Sequence, residues 1–216
     1  MRSRVVHACT TRTKGARVPA YPMLKDATYE DLLVLPESVK AELIDGVIVS
    51  QSQPSGPHQN AAGGIYRDVS QAFQRRRTMG GGGDGNGPKR PGGWVILHGM
   101  ELHLGPNVLV PDISGWLAPR MPHLRSLRYT SIVPDWVCEV LSPSTARMDR
   151  VRKMDLYGSA GVPHVWLVEP LEQFVEMYSL QQGSYRRVHT AMEDEGGEFV
   201  PFEAVRLHVG EWWPWD

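Results

Sequence analysis

A lone carboxylate inside an apolar run limits what this chain can fold into more than any other feature. The run is Val133-Pro-Asp-Trp-Val-Cys-Glu-Val-Leu141, and the carboxylate is Glu139. As a strand it sets Asp135, Val137, Glu139 and Leu141 on one face, with Trp136, Cys138 and Val140 on the other. An unpartnered carboxylate is costly to bury, so Glu139 requires a metal ion, a cationic side chain or a network of donors. Asp135 does not complete a metal site with it, because four residues of extended chain separate the two by roughly 13 Å. The second carboxylate has to come from a neighbouring strand. Asn107-Val-Leu-Val-Pro-Asp112 is another apolar run, and it closes on Asp112.

Helix and strand signals alternate around these runs. Thr28 is a candidate N-cap for a short helix, with Asp31 three residues on. Ala41 to Ser50 is two apolar stretches joined by Asp45-Gly46, a hairpin turn. From His58 to Arg77, Ala62, Ile65, Val69, Ala72 and Phe73 recur at helical spacing, and Arg75, Arg76 and Arg77 complement the dipole at the end of that helix. Gly80 to Gly93 is a glycine-rich loop that lacks the Gly-Lys-Ser/Thr ending and the leading strand of a phosphate cradle.

Trp94 to Leu97 and Met100 to Leu104 have the character of short strands, Val108 to Leu117 and Ile132 to Leu141 that of central ones. Ala146 to Ala160 is expected to be helical, with Met148, Val151, Met154 and Tyr157 along one side; Ser144 or Thr145 would cap it and Gly161-Val-Pro stop it. Val165 to Val168 is a further strand, and a hairpin follows about Gln181-Gln182-Gly183. The expected architecture is α/β: one domain over 26–216 around a central mixed β-sheet flanked by helices, preceded by a disordered basic arm over 1–25.

The formal net charge of −1 supplies no overall basic field, so any nucleic-acid binding must come from a local patch. Two cysteines, Cys9 and Cys138, provide neither a disulfide framework nor a metal-ligand spacing, which points to a reducing cytoplasm. No apolar stretch reaches the length that spans a bilayer.

Asp112 and Glu139 together would suit a hard ion, Mg²⁺ or Mn²⁺, with positions left for a phosphate and a water. Lys153 lies fourteen residues after Glu139 on the next helix, from which it could position that water or stabilise developing charge. Glu42, at the start of the first hairpin, is a further acid able to hold a water or a second ion. Plainer alternatives stand beside each. Pro-Asp is a turn pair, the favoured account of Asp135 and an open one for Asp112. Glu139 could pair with Arg147 or Arg150, Lys153 could be a solvated helix residue, and His58 could serve only the start of its helix.

Taken in order, Leu35-Pro-Glu37, Glu42-Leu-Ile-Asp-Gly46, Pro54-Ser55, His58-Gln59, Asn107 to Asp112, Pro134 to Thr145, Asp149 to Lys153, Tyr157 and Gly161 to Pro170 resemble the Uma-type putative restriction endonucleases. These are bacterial members of the PD-(D/E)xK nuclease superfamily, and the resemblance runs from about Tyr29 to the C-terminal strands. It implies a restriction-endonuclease-like core, Asp112 as the Pro-Asp acid, Glu139 as the second metal ligand and Glu42 as an acid near the site. The superfamily's basic pattern puts its lysine two residues after the glutamate, where this chain has Leu141. Uma-type proteins resemble this chain in carrying the lysine on the following helix, here Lys153.

Two functions follow as expectations. One is a Mg²⁺- or Mn²⁺-dependent DNA endonuclease that hydrolyses phosphodiester bonds; the other is a non-catalytic nucleic-acid-binding or interaction module on the same fold. Arg75 to Arg77, Lys89, Arg90, Arg125, Arg128, Arg150 and Arg152 are candidate phosphate contacts. A homodimer is compatible with either function.

Overall fold

The computed structural model describes residues 26–215 apart from 37–38, 52, 75–90, 122–123, 125–126 and 144. The basic arm, the arginines at 75–77, most of the glycine-rich stretch, Lys89, Arg90, Arg125 and the candidate cap Ser144 lie outside the described residues.

Helix α1 (Tyr29–Leu33) begins where the Asp31 carboxylate accepts from both the N–H and the hydroxyl of Thr28. Strands β1 (Ala41–Ile44) and β2 (Val47–Ser50) turn through Asp45 and Gly46, at φ 52° and 72°, the paired positive φ values of a tight hairpin. Helix α2 (Gly56–Phe73) is capped by the Ser55 hydroxyl, which accepts from His58 N–H, and has Pro57 in its first turn. Strands β3 (Trp94–His98), β4 (Glu101–Leu104), β5 (Asn107–Leu109), β6 (Ile113–Leu117), β7 (Tyr129–Thr130) and β8 (Trp136–Val140) follow. A segment wound at the wider π spacing, Met148–Lys153, runs into helix α3 (Met154–Ala160), which Gly161 ends at φ 83°. Strands β9 (His164–Glu169), β10 (Phe174–Gln181) and β11 (Ser184–Met192) complete the main framework.

These strands form two sheets. One has the order β2-β1-β5-β4-β7 and the other β11-β10-β9-β8-β6-β3. Pairing is antiparallel except for β4 with β7 and β8 with β9. The expected strand over Val108 to Leu117 is in fact two strands in different sheets: the chain leaves β5, passes Val110-Pro111-Asp112 and enters β6. Pro111 has no N–H for a ladder, and the break at that residue turns the chain from one sheet to the other. The chain also changes sheet at Gly99 (φ 59°), between β3 and β4. Ile132 to Leu141 shortens to Trp136–Val140, and Asp135 is more than a turn residue. It is buried, and its carboxylate accepts from Leu117 N–H and from the Arg120 guanidinium.

The six-stranded sheet carries apolar side chains on both faces. Helix α2 presents Ala61, Ile65, Val69 and Phe73 to one face, where they meet Trp136, Trp166, Phe202 and Trp212. The five-stranded sheet and α3 cover the other face, which holds Trp116, Val137, Leu141, Met154, Tyr157 and Val165. Among the described residues no helix is long and apolar enough to cross a membrane. Phe202 lies fully buried among the rings of Phe73, Trp94, Trp136 and Trp166. Phe202→Ala is expected to cost about 3–5 kcal/mol in urea denaturation, because those rigid rings cannot collapse into the cavity.

Candidate active site

The break at Pro111 is what assembles the site. Strands β6 and β8 pair from Gly115–Trp136 to Ile113–Cys138, and beyond that last pair Asp112 swings a carboxylate into the place of a ladder partner. Its Oδ2 accepts from Val140 N–H at 2.8 Å. Glu42 does the same one sheet away. It projects from β1, and its Oε1 accepts from Val110 N–H at 2.7 Å. Each acid therefore occupies a backbone donor that the diverging sheets leave without a strand partner.

Glu139 faces Asp112 and Glu42 from β8, and the helix behind it brings the counter-charge. Lys153 Nζ lies 3.0 Å from Glu42 Oε1, 3.2 Å from Glu139 Oε1 and 3.3 Å from Asp149 Oδ1. Its side chain is only 4% exposed, which overturns the solvated reading. The alternative pairing of Glu139 with Arg147 or Arg150 is also overturned: Arg150 bonds Glu176, and the ion pair of Glu139 is with Lys153. The phenol of Tyr157 donates to the same Glu139 Oε1 at 2.5 Å. Asp149, Lys153 and Tyr157 stand four residues apart in turn, so one stripe of the helix carries all three inward. Val151, expected on the buried side, is instead exposed, because the π-wound turn rotates the helix face.

On the opposite wall His58, in the first turn of α2, places Nε2 3.3 Å from Asp112 Oδ2. His58, Asp112, Glu139, Asp149 and Lys153 line a cleft of about 630 Å³, together with Lys40, Gln51, His98, Ser142 and Thr145, while Glu42 and Tyr157 stand behind them.

Burial and mutual charge shift these groups in a consistent way. Burial raises the Glu139 carboxyl well above its usual range; Lys153 opposes the shift, while Asp149, Asp112 and Glu42 reinforce it. Burial disfavours the Lys153 ammonium, but Glu139, Glu42 and Asp149 outweigh it and hold the amine well above its usual range, hence charged. Burial and the nearby Glu139 and Glu42 keep the Tyr157 phenol protonated as a donor. For His58 burial again opposes charge, and the Asp112 carboxylate more than compensates.

The structure therefore brings together all four residues singled out from the sequence: Glu42, Asp112, Glu139 and Lys153. It adds His58, Asp149 and Tyr157. The spacing of Asp149, Lys153 and Tyr157 is a signal that could have revealed two of these additions. His58 carries no such signal, because its place depends on where α2 docks.

The donors suit a hard divalent cation. Lys153 and Tyr157 engage one oxygen of Glu139, while Val140 N–H and His58 engage one oxygen of Asp112, and both carboxylates line the cleft. Among the described residues no three or more His, Cys, Asp or Glu side chains are arranged to hold a metal, so a cation here would rely on these two carboxylates and on water. Around it Glu42, Asp112, Glu139 and Asp149 face one lysine and one histidine.

A family model described as "Uma2: Putative restriction endonuclease" matches residues 26–209. No curated protein matches. Among solved structures, a "putative nuclease belonging to DUF820" from Anabaena variabilis ATCC 29413 is similar at a TM-score of 0.62 and 23% identity, over 85% of this chain and 96% of that one. At that identity the likeness establishes the fold, a restriction-endonuclease-like core.

Lys153→Met leaves three buried carboxylates without their cation, and is expected to destabilise the protein by about 3–5 kcal/mol near neutral pH. The loss should shrink as pH falls, because a carboxyl with a raised folded pKa binds its proton more tightly in the native state than in the unfolded one. Urea denaturation of both proteins between pH 5 and pH 8 measures this, with a constant difference as the contrary result.

Proposed function

The chain belongs to the Uma2 restriction-endonuclease family, and from that premise we propose that it is a divalent-metal-dependent DNA endonuclease acting at Asp112, Glu139 and Lys153. The observation that carries this reading is the buried Lys153, held against Glu139 from a helix and lining the same cleft as Asp112. A lysine that served only the core would not need a cleft above it.

Asp112 and Glu139 would hold Mg²⁺ or Mn²⁺, which when bound polarises the phosphoryl oxygen and lowers the pKa of a coordinated water. The chain's own groups do the rest. Tyr157 and Lys153 fix the rotamer of Glu139, and Val140 N–H fixes that of Asp112. Lys153 stays charged among its carboxylates, with its three N–H groups directed at Glu42, Glu139 and Asp149, so it acts as a fixed positive charge beside the reacting phosphate and not as a base. The water oxygen bonds to phosphorus and gives up a proton to solvent, the bond from phosphorus to the leaving sugar oxygen breaks, and that oxygen takes up a proton from solvent. Glu42 holds Lys153 in place and reaches the reaction only through it.

The test is cleavage of circular, linear and single-stranded DNA in Mg²⁺ or Mn²⁺, with a chelator control. Asp112→Asn and Glu139→Gln are each expected to lose about 10²-fold or more in rate, the scale of removing one electrostatic group from such a transition state. Undiminished cleavage by both variants would place the chemistry elsewhere. DNA bound but not cut by the wild type would favour the non-catalytic binding module.

A further inference from the structure

The cleft over the carboxylates does not end at Asp112. A second groove, of about 420 Å³, begins there and shares Lys40, Gln51, His98, Val110 and Asp112 with the first. It is also lined by Leu32, Leu33 and Leu35 at the end of α1 and by Arg128. Two features set it apart.

Its cations are uncommitted. Arg120, Arg150, Arg152 and Lys153 each pair with a carboxylate, whereas Lys40 and Arg128 are exposed and pair with none among the described residues. Glu101, the acid in the groove besides Asp112, is taken by the Tyr29 hydroxyl and by His103. The lining also offers apolar side chains, Leu32, Leu33, Leu35 and Val39, of which Leu33 is 63% exposed.

Free positive charge along a path, with apolar surface beside it, is the combination that accepts an unpaired strand: cations follow the phosphates and the apolar wall takes base faces. A duplex keeps its bases stacked inside, so it could use the cations while leaving the leucines idle. We propose that this groove binds the unpaired nucleic-acid strand flanking the scissile phosphate, with Lys40 and Arg128 on its backbone and Leu33 against a base. The proposal rests on the nuclease reading of the adjoining site and narrows its substrate to DNA with a single-stranded or frayed flank.

The test is fluorescence anisotropy of labelled single-stranded and duplex oligonucleotides in Ca²⁺. The proteins are the full chain, the double variant Lys40→Ala/Arg128→Ala, Leu33→Ser and, as a charge control on the far strand β11, Arg186→Ala. The double variant is expected to lose about tenfold in single-strand affinity, with a salt slope shallower by roughly 1.4, or about 0.7 per phosphate contact. Leu33→Ser should weaken single-strand binding at an unchanged slope and leave duplex binding alone, and Arg186→Ala should change neither. Wild-type slope and affinity in the double variant would overturn the groove, even if the enzyme still cuts DNA. An equal loss on duplex and single strand would overturn the unpaired-strand assignment. Failure of the wild type to bind any of these oligonucleotides would overturn the nuclease reading, and this proposal with it.

Discussion

One buried ammonium holds the centre of this protein together. Lys153 is the point where Glu42 from the first sheet, Glu139 from the second and Asp149 from its own helix meet within 3.3 Å. Taking four charges out of water is expensive, and the arrangement is stable only if each has partners in close geometry. Two sheets and a helix must therefore be in register at this spot. Any drift between them would strand a buried charge, so the electrostatics enforce a geometry that apolar packing alone would leave loose.

The carboxylates gain their rigidity from an economy of backbone donors. Where β5 gives way to β6 at Pro111, the ladders on both sides lose a partner, and the donors left at Val110 and Val140 are taken by Glu42 and Asp112. The side chains thus complete the sheets they interrupt. Each acid is oriented by a main-chain donor as well as by a side chain, Glu42 by Lys153 and Asp112 by His58, which is the kind of support that keeps a reactive group within a narrow range of positions.

Much of this was legible in the sequence, for reasons that can be traced residue by residue. Glu139 stands out because turn chemistry does not explain a carboxylate in an apolar strand and it must find a cation, a metal or donors there, and Asp112 because its run stops at Pro-Asp. The Asp45-Gly46 turn and the apolar stripe of α2 were plain from local chemistry. What the sequence hid was tertiary. Nothing in Val108 to Leu117 says that the two halves belong to different sheets; both halves are apolar and only Pro111 hints at the break. His58 gains its role from where α2 docks against β8, a consequence of packing by Ile65, Val69 and Phe73. The position two residues after Glu139, where the superfamily's lysine would lie, is filled by Leu141, which is buried in the core. The charge is delivered from the helix instead.

That delivery has a consequence for how this part of the chain can change. Met148–Lys153 is wound with an extra residue per turn, so the length of the segment acts as a frame that sets which side chains point inward. Removing one residue could relax the winding to an ordinary α-helix, yet it would turn everything upstream of the lysine by about 100° relative to it. Asp149 would rotate away while Lys153 stayed, or the reverse. A point substitution at the exposed Val151 leaves this frame untouched, whereas a single insertion or deletion does not. Drift in this helix is therefore expected to proceed by replacement at constant length.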